Sequence, residues 1–311
     1  MSLPLVKIGS AASDKGAESC CGSGGCGPSA VTGISIAGVE GAVRERYSAA
    51  SQQVEPALCC PVSYDAEYLK VLPAELIERD YGCGDPSKHV KTGDVVLDLG
   101  SGGGKICYIA SQMVGPTGRV IGVDMSLDML SLARKYQKEI AAKIGWDNVE
   151  FHQGRIQDLR LDLDWLQTQL GQSPVQSSAQ YVALADKVER QCQDQPLVGD
   201  ETVSLVLSNC VLNLVSEEAR SSLFAEIYRV LKPGGRAVIS DIVASQSVPK
   251  SLKDDPVLWS GCISGAFEEE EFVARFQAAG FAEVTVLTRQ AEPWTTVAGI
   301  EFRSVTVQAV K

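Results

Sequence analysis

The stretch that decides the fold is Val95-Val-Leu-Asp-Leu-Gly-Ser-Gly-Gly-Gly104, an apolar run that ends in an acid and alternating glycines. A short apolar run of this kind predicts a strand buried at the centre of a parallel sheet. Glycines after such a strand let the backbone come close to a ligand, because no Cβ stands in the way. Ile106, Ile109, Ala110 and Met113 then recur at helical spacing. Strand, glycine-rich turn and helix together predict the first half of a Rossmann-like unit.

The glycine spacing separates the cofactors that such a unit can bind. A dinucleotide fingerprint would need a third glycine where this chain has Cys107, and a P-loop would need a Gly-Lys-Ser/Thr sequence. Asp98-x-Gly-x-Gly-x-Gly104 instead resembles the first motif of class I S-adenosylmethionine-dependent methyltransferases. The second predicted strand ends at Asp124, about twenty residues beyond the loop, where a carboxylate can accept hydrogen bonds from both ribose hydroxyls. The resemblance therefore implies S-adenosylmethionine as the cofactor.

The same resemblance implies cofactor contacts along the carboxyl ends of several strands. The implied cofactor-binding residues are Asp98, Gly100, Ser101, Gly102, Gly104, Asp124, Met125, Gly154, Ile156 and Asn209.

Further strands are predicted to begin at Val149, Val203, Arg236, Glu283 and Phe302, with helical patterns between most of them. This alternation predicts an α/β fold, a doubly wound Rossmann-like sheet of about seven strands with a smaller C-terminal substrate-binding subdomain. We expect a flexible Cys/Gly-rich arm over residues 1–39 and a methyltransferase domain over 40–242. The C-terminal subdomain is expected over 243–311, with the segment 243–268 covering the substrate.

Composition limits the partners. The chain has 311 residues, 45% of them hydrophobic, a formal net charge of −11 and a pI near 4.8. These values argue against nucleic acid or an anionic membrane as the main partner, since both select basic surfaces, and favour a small molecule. The sequence shows neither an apolar run of membrane-spanning length nor a secretory signal pattern, so a cytoplasmic location is expected.

Ten cysteines are unusual for a cytoplasmic chain, where structural disulfides are rare. A tetrahedral zinc site is disfavoured because the chain has no Cys-x-x-Cys pair and only two histidines. Cys83 precedes the first predicted strand, Cys210 follows the fourth and Cys262 follows the fifth. Open α/β sheets bind ligands at this carboxyl edge, so the three thiols are expected to meet over the cofactor's methyl group. Cys107 is expected to be a core residue.

The segments around these cysteines make the resemblance specific. Tyr81-Gly-Cys-Gly84, Ser208-Asn-Cys-Val-Leu-Asn-Leu214 and Trp259-Ser-Gly-Cys262 resemble the three cysteine motifs of arsenite methyltransferases. The entry segment Val43-Arg-Glu-Arg-Tyr47, followed by the pair Cys59-Cys60, resembles the N-terminal arm of the bacterial members. The resemblance extends over roughly residues 40 to 311.

This resemblance implies that Cys83, Cys210 and Cys262 hold trivalent arsenic, a soft ion that prefers thiolates to oxygen and nitrogen ligands. The substrate would be arsenite or its thiol conjugate. The arsenic lone pair would attack the methyl group without losing a proton, so no general base is needed. Cys59 or Cys60 would replace a ligand or reduce the oxidised product through a transient disulfide, with a thiol reductant of the thioredoxin or glutathione type as co-substrate.

Two departures from the family pattern stand out. Many members carry Arg-Asp after the glycine loop, whereas this chain has Lys105-Ile106, which leaves Lys105 as the candidate partner of the cofactor carboxylate. A polar, Gln-rich insertion near 160–200 is predicted to be a loop with one short helix, and Cys192 to be an incidental residue of that loop. The insertion is interpreted as a tolerated surface addition rather than a cover over Cys210.

Alternatives remain open at this stage. The chain is either an arsenite methyltransferase, a methyltransferase for another soft or carbon nucleophile such as a selenium or tellurium compound, a small thiol or a quinol, or a non-catalytic metalloid-binding protein. Cys20, Cys21 and Cys26 in the N-terminal arm either collect a thiophilic ion or belong to a plain disordered tail.

Overall fold

The structure is a computed structural model that describes residues 38–55 and 62–311. The predicted N-terminal arm, with Cys20, Cys21 and Cys26, lies outside the described residues as far as residue 37. The pair Cys59-Cys60 also lies outside them. The division into an arm, a central domain and a C-terminal subdomain stays a prediction.

A mixed sheet forms the centre of the protein, with the order β3-β2-β1-β4-β5-β9-β7 along its main path. Five strands are parallel to one another: β1 (Val95–Leu99), β2 (Arg119–Asp124), β3 (Val149–Gln153), β4 (Val203–Asn209) and β5 (Leu231–Ala244). β7 (Glu283–Arg289) and β9 (Ile300–Val310) run antiparallel, the short β6 (Phe267–Glu268) pairs with β5, and β8 (Thr295–Val297) pairs with β9. The predicted doubly wound α/β fold is confirmed.

Helices cover both faces of the sheet. Their bounds are α1 (Gly38–Gln52), α2 (Ala66–Leu69), α3 (Ala74–Glu78), α4 (Lys105–Val114), α5 (Leu127–Ile144), α6 (Leu163–Gln172), α7 (Ser178–Asp194), α8 (Arg220–Val230), α9 (Lys250–Lys253), α10 (Pro256–Ser260) and α11 (Glu269–Ala278). Single 3-10 turns lie at Pro86–His89, Leu212–Leu214 and Glu217–Ala219.

The strands are apolar on both sides because each side faces a separate core. Leu97 and Val206 belong to the cluster that packs under α8 and α11. Val96 and Leu205, one residue away, belong to the cluster under α4 and α5. Successive side chains of a strand point to opposite faces, so a continuous apolar run fills both cores.

The insertion corrects one prediction, because it holds two helices, α6 and α7, rather than a loop with one short helix. The Asp162 carboxylate accepts a hydrogen bond from the backbone N–H of Trp165 and starts α6. The Ser177 hydroxyl accepts one from the N–H of Gln180 and starts α7. Neither helix contains a buried residue, and Cys192 lies half-buried on α7 rather than in a loop.

Over residues 38–55 and 62–311, no helix is both long enough and apolar enough to cross a membrane.

Replacement of Leu97 by Ala tests the assigned core. Leu97 is fully buried in β1, so Leu97→Ala is expected to lower the free energy of unfolding by about 2–5 kcal/mol. Val182→Ala on α7 is the control, because Val182 is 56% exposed and its truncation should change stability by less than about 0.5 kcal/mol. Denaturant titration measures both, and equal losses would contradict the assignment.

Candidate active site

A cleft of about 1020 Å³ opens at the carboxyl ends of β1, β2 and β4, with α1 along one wall. Of the sequence-predicted cofactor residues, those that line it are Asp98, Gly100, Ser101, Gly102, Asp124, Met125, Gly154, Ile156 and Asn209. Gly104 is not among the lining residues.

Gly100 and Gly104 have left-handed backbones, with φ of 70° and 85°, for different reasons. A Cβ on Gly100 would come within 2.5 Å of the Val211 side chain. Glycine at this position therefore lets the loop pack against the segment that follows β4. Gly104 precedes α4, and a Cβ there would come within 2.7 Å of the Phe151 ring. Gly104 therefore allows close packing beneath the loop rather than forming the wall of the cleft.

Asp124 lies at the end of β2 and is held in place by its own loop. Its Oδ2 accepts a 2.8 Å hydrogen bond from Gly102 N, and its Oδ1 accepts a 2.8 Å bond from Ser126 N. Burial raises the pKa of this carboxyl. The backbone of Met125 also hydrogen-bonds this carboxylate. A carboxylate has about four acceptor positions, so capacity remains for a ribose hydroxyl.

An unpartnered polar atom also favours a ligand in the cleft. Ser101 lines it, and within the described part of the chain its buried Oγ has no hydrogen-bond partner. Buried hydroxyls are normally satisfied, so a ligand that reaches this loop would complete the site. The residues at this end fit an adenosyl cofactor.

Asp98, at the end of β1, is almost fully buried, and burial raises its pKa to about 7. The Cys107 thiol donates a hydrogen bond to Asp98 Oδ2 at 3.2 Å. Cys107 is fully buried, as predicted for a core residue, but it also supports the acid of the cofactor loop.

Asn209 lines the cleft, yet its amide is committed elsewhere. Its Oδ1 accepts hydrogen bonds from Cys83 N at 2.9 Å and Gly84 N at 3.1 Å. Its Nδ2 donates to Gly84 O at 2.7 Å and to the Tyr64 hydroxyl at 3.1 Å. All four hydrogen-bonding positions of the amide are thereby used. Asn209 fixes the Cys83 loop to β4, and a cofactor contact for it stays a prediction.

The structure brings Cys83, Cys210 and Cys262 together in one buried cluster. The Cys210 thiol is hydrogen-bonded to the thiols of Cys262 and Cys83, and these bonds together with burial raise its pKa well above the usual value. Burial raises the pKa of Cys83 as well. Cys262 Sγ also donates to Cys210 O at 3.2 Å. Of the three residues, Cys210 lines the cleft.

Two of these cysteines have a strained backbone. Among the described non-glycine residues, positive φ occurs at four positions, and they include Cys210 at 63° and Cys262 at 61°. A left-handed backbone is unfavourable for an L-residue and persists only where the surroundings enforce it. The surroundings therefore hold both thiols in directions that a relaxed chain would not give them.

Two residues of this site were not predicted. Asp241, in β5 near its carboxyl end, places a carboxylate oxygen within 4.8 Å of the Cys83 and Cys210 sulfurs. The Tyr47 side chain is hydrogen-bonded to Cys262, and burial first, then Cys262 and Cys210, raise its pKa well above the usual value. The sequence offered one clue to each residue. Asp241 is an acid that follows the apolar run of the fifth predicted strand, and Tyr47 belongs to the entry segment that resembles the family.

Comparison with known proteins identifies the family. A family model described as a methyltransferase domain matches residues 90–173 and 175–280. The chain belongs to this methyltransferase-domain family. The predicted resemblance to arsenite methyltransferases is also confirmed, by relatives from several organisms.

The arsenite methyltransferase of Halobacterium salinarum is 33% identical over 86% of this chain and 54% of its own length. That of Mus musculus is 32% identical over 73% of this chain and 51% of its own length. The crystal structure of an arsenic(III) S-adenosylmethionine methyltransferase from Chlamydomonas reinhardtii superposes with a TM-score of 0.63 at 28% identity, covering 81% of this chain and 75% of that one. The chain spans about half the length of the curated relatives it matches.

Lys105 was predicted to meet the carboxylate of the cofactor, but in the structure it pairs with Asp80. Its side chain is 5% exposed, and Nζ lies 2.5 Å from Asp80 Oδ2 and 3.8 Å from the centre of the Tyr64 ring. Asp80 lines the cleft, whereas Lys105 does not. The lysine thus holds an acid on the cleft wall.

Asp124→Ala is expected to weaken cofactor binding. Loss of a charge-assisted hydrogen bond to ribose should reduce affinity by at least about tenfold, given about 1.5–3 kcal/mol per bond to a charged group. Calorimetric titration with S-adenosylhomocysteine measures the change, and Asp186→Ala on the exposed face of α7 is the control. Unchanged affinity in Asp124→Ala would remove Asp124 from the cofactor site.

Lys105→Met distinguishes its two possible partners. If Lys105 pairs with Asp80, the variant should lose stability toward the lower end of the about 3–5 kcal/mol expected for a broken buried pair, because Asp80 is 19% exposed. Adding Asp80→Asn should restore part of the loss. Lys88→Met is the control. Lys88 pairs with Asp85 but is itself exposed, so its loss should change the free energy of unfolding little. A tenfold loss of S-adenosylhomocysteine affinity at unchanged stability would instead assign Lys105 to the cofactor.

Proposed function

We propose that this methyltransferase domain transfers methyl groups from S-adenosylmethionine to trivalent arsenic bound by Cys83, Cys210 and Cys262. The observation that carries the proposal is the convergence of three buried thiols from three separate segments beside the cleft. Structural cysteines do not need to meet in this way, since an isolated buried thiol already packs as a small hydrophobe.

Neutral thiols suit this substrate. Cys83 and Cys210 have raised pKa values, so both are protonated in the free protein near neutral pH. When arsenous acid exchanges its three hydroxides for three thiols, each S–H proton leaves with a hydroxide as water. Binding therefore releases no net proton and requires no acceptor in the site. Soft thiolate ligands also exclude harder competing ions.

The methyl transfer likewise needs no general base. S-adenosylmethionine supplies an electrophilic methyl group, which a pyramidal arsenic accepts through its lone pair without losing a proton. The two histidines, His89 and His152, lie outside the cleft lining, in keeping with such a reaction. The protein's contribution is then positioning, with the thiols fixing arsenic beside the cleft.

The segment that carries Cys262 completes the substrate side. Arg46 of α1 donates to Val257 O and to the Ser260 hydroxyl, both at 3.1 Å. The Trp259 indole N–H donates to Leu214 O at 3.2 Å. These bonds tie the segment 243–268 to α1 and to the Cys210 loop, and we assign substrate binding to the C-terminal subdomain on this basis.

A thiol of the thioredoxin or glutathione type would serve as co-substrate, because a product oxidised at arsenic must be reduced before another round. Cys59 and Cys60 are proposed to take part in that reduction or to replace a ligand. Their support is the sequence resemblance alone.

Anaerobic incubation with S-adenosylmethionine, As(III) and a small thiol tests the proposal, with methylated arsenic measured by chromatography and elemental detection. Cys210→Ser and Cys262→Ser should each lose at least about 100-fold of the turnover, because an alcohol is a poor ligand for arsenic. S-adenosylhomocysteine affinity should stay within about twofold, since neither thiol belongs to the adenosyl end of the cleft.

Cys192→Ser is the matched control, because this thiol lies on α7, away from the cluster. Binding of As(III) without methylated product would indicate a sequestering protein. Neither binding nor product would turn attention to other soft or carbon acceptors.

A further inference from the structure

We infer that Asp241 is a positioning residue that acts through Asn213 to hold Cys210 and Cys262 facing one another. The inference deepens the proposed function and rests on it for the identity of the ligand. It concerns a fully buried carboxylate and a fully buried amide to which the sequence motifs assign no task.

Asp241 is better suited to hold the chain than to bind an ion, although its oxygen lies within 4.8 Å of two sulfurs. Its Oδ2 accepts hydrogen bonds from Leu212 N at 2.9 Å and Asn213 N at 3.3 Å. Its Oδ1 accepts from Asn213 Nδ2 and Ile242 N, both at 2.8 Å. The four acceptor positions of a carboxylate are then filled, which leaves none for a ligand.

Asn213 extends this support to the segment before β6. Its Nδ2 also donates to Ile242 O at 2.6 Å, and its Oδ1 accepts from Phe267 N at 3.4 Å. A Cβ on Gly265 would collide with the Asn213 carbonyl oxygen, so the two backbones are in direct contact. One amide therefore joins the Cys210 turn, the end of β5 and the segment that follows Cys262.

The strained conformation of Cys210 explains why such support is needed. The Cys210 backbone N–H donates to Ser240 O at 2.8 Å. The chain then turns directly into Leu212 and Asn213, whose N–H groups donate to the Asp241 carboxylate. Four hydrogen bonds that converge on one buried carboxyl group can hold a left-handed residue in place. Only an acceptor without N–H groups can receive all four donors.

Asp241→Asn is the direct test. The amide would turn N–H groups toward backbone donors, so the Cys210 turn should relax and arsenic affinity should fall by about 10- to 100-fold. X-ray absorption at the arsenic edge should show fewer than the three sulfur ligands of the parent protein. S-adenosylhomocysteine affinity and the unfolding transition show whether the fold is kept. Asp162→Asn, which also removes a carboxylate from a backbone N–H but far from the site, should keep all three sulfurs.

The reversed pair keeps the inference testable if the single variant is unstable. In the double variant Asp241→Asn with Asn213→Asp, one side-chain hydrogen bond between the two positions can form again. Part of the sulfur count and affinity should return relative to Asp241→Asn alone. No recovery, with a folded protein, would contradict a specific link between the two residues.

An arsenic-free measurement separates this inference from the proposed function. In the parent protein, diamide should join Cys210 to Cys262 or Cys83, as mapped by mass spectrometry, and Asp241→Asn should slow this at least about fivefold because the thiols no longer face one another. A parent protein that cross-links but binds no arsenic would refute the proposed function and keep the positioning. Three arsenic–sulfur bonds and unchanged cross-linking in Asp241→Asn would refute the positioning and keep the function.

Discussion

Parallel pairing in the middle of the sheet determines where the functional groups lie. β1 pairs with β2 on one side and β4 on the other, so Asp98 lies between Gly122 and Leu207. β4 in turn pairs with β5, with Asn209 beside Ser240. Parallel strands end at the same edge, so the residue after each strand arrives beside its neighbour. The acids of the cofactor side and the thiol of Cys210 are brought together by this register.

The groups at this edge are buried or half-buried, and burial has one electrostatic consequence on both sides of the cleft. Burial raises the pKa values of Asp98, Asp124 and Asp241, while Cys83 and Cys210 are held protonated. Charges at such a place are tolerated only where hydrogen bonds compensate for lost water. Asp124 and Asp241 have such bonds from backbone N–H groups, and the thiols avoid the problem by staying neutral. A substrate that exchanges hydroxide for thiol suits this environment, because no charged group has to form first.

The sequence predicted those features that depend on local pattern and on sheet topology. The strand and glycine loop at 95–104 are a local pattern, and the meeting of Cys83, Cys210 and Cys262 follows from the rule that ligands bind at the carboxyl edge. The sequence did not predict which polar side chains pair with one another. Lys105 pairs with Asp80, and Asn213 pairs with Asp241, 28 residues away. Such pairs depend on the packing of a whole side chain, which periodicity does not describe. The insertion was predicted to hold one short helix rather than two, because the start of each helix depends on a single capping residue.

The cofactor side and the thiol side are joined by a continuous set of contacts. Lys105 follows the glycine loop and contacts Asp80 and the Tyr64 ring. The Tyr64 hydroxyl accepts from Asn209 Nδ2, and Asn209 in turn holds the backbone of Cys83. A change at the glycine loop would thus reach a thiol through side chains that are packed or hydrogen-bonded at each step. Contact alone does not establish energetic coupling, which requires an element with two arrangements. The Cys83 loop is anchored from two strands, because the Asn209 amide of β4 bonds its backbone and the Ser304 hydroxyl of β9 donates to Cys83 O at 2.6 Å. The thiol of Cys83 therefore has a position set by β4 and β9 together, and the contacts that begin at the glycine loop end at a doubly anchored backbone.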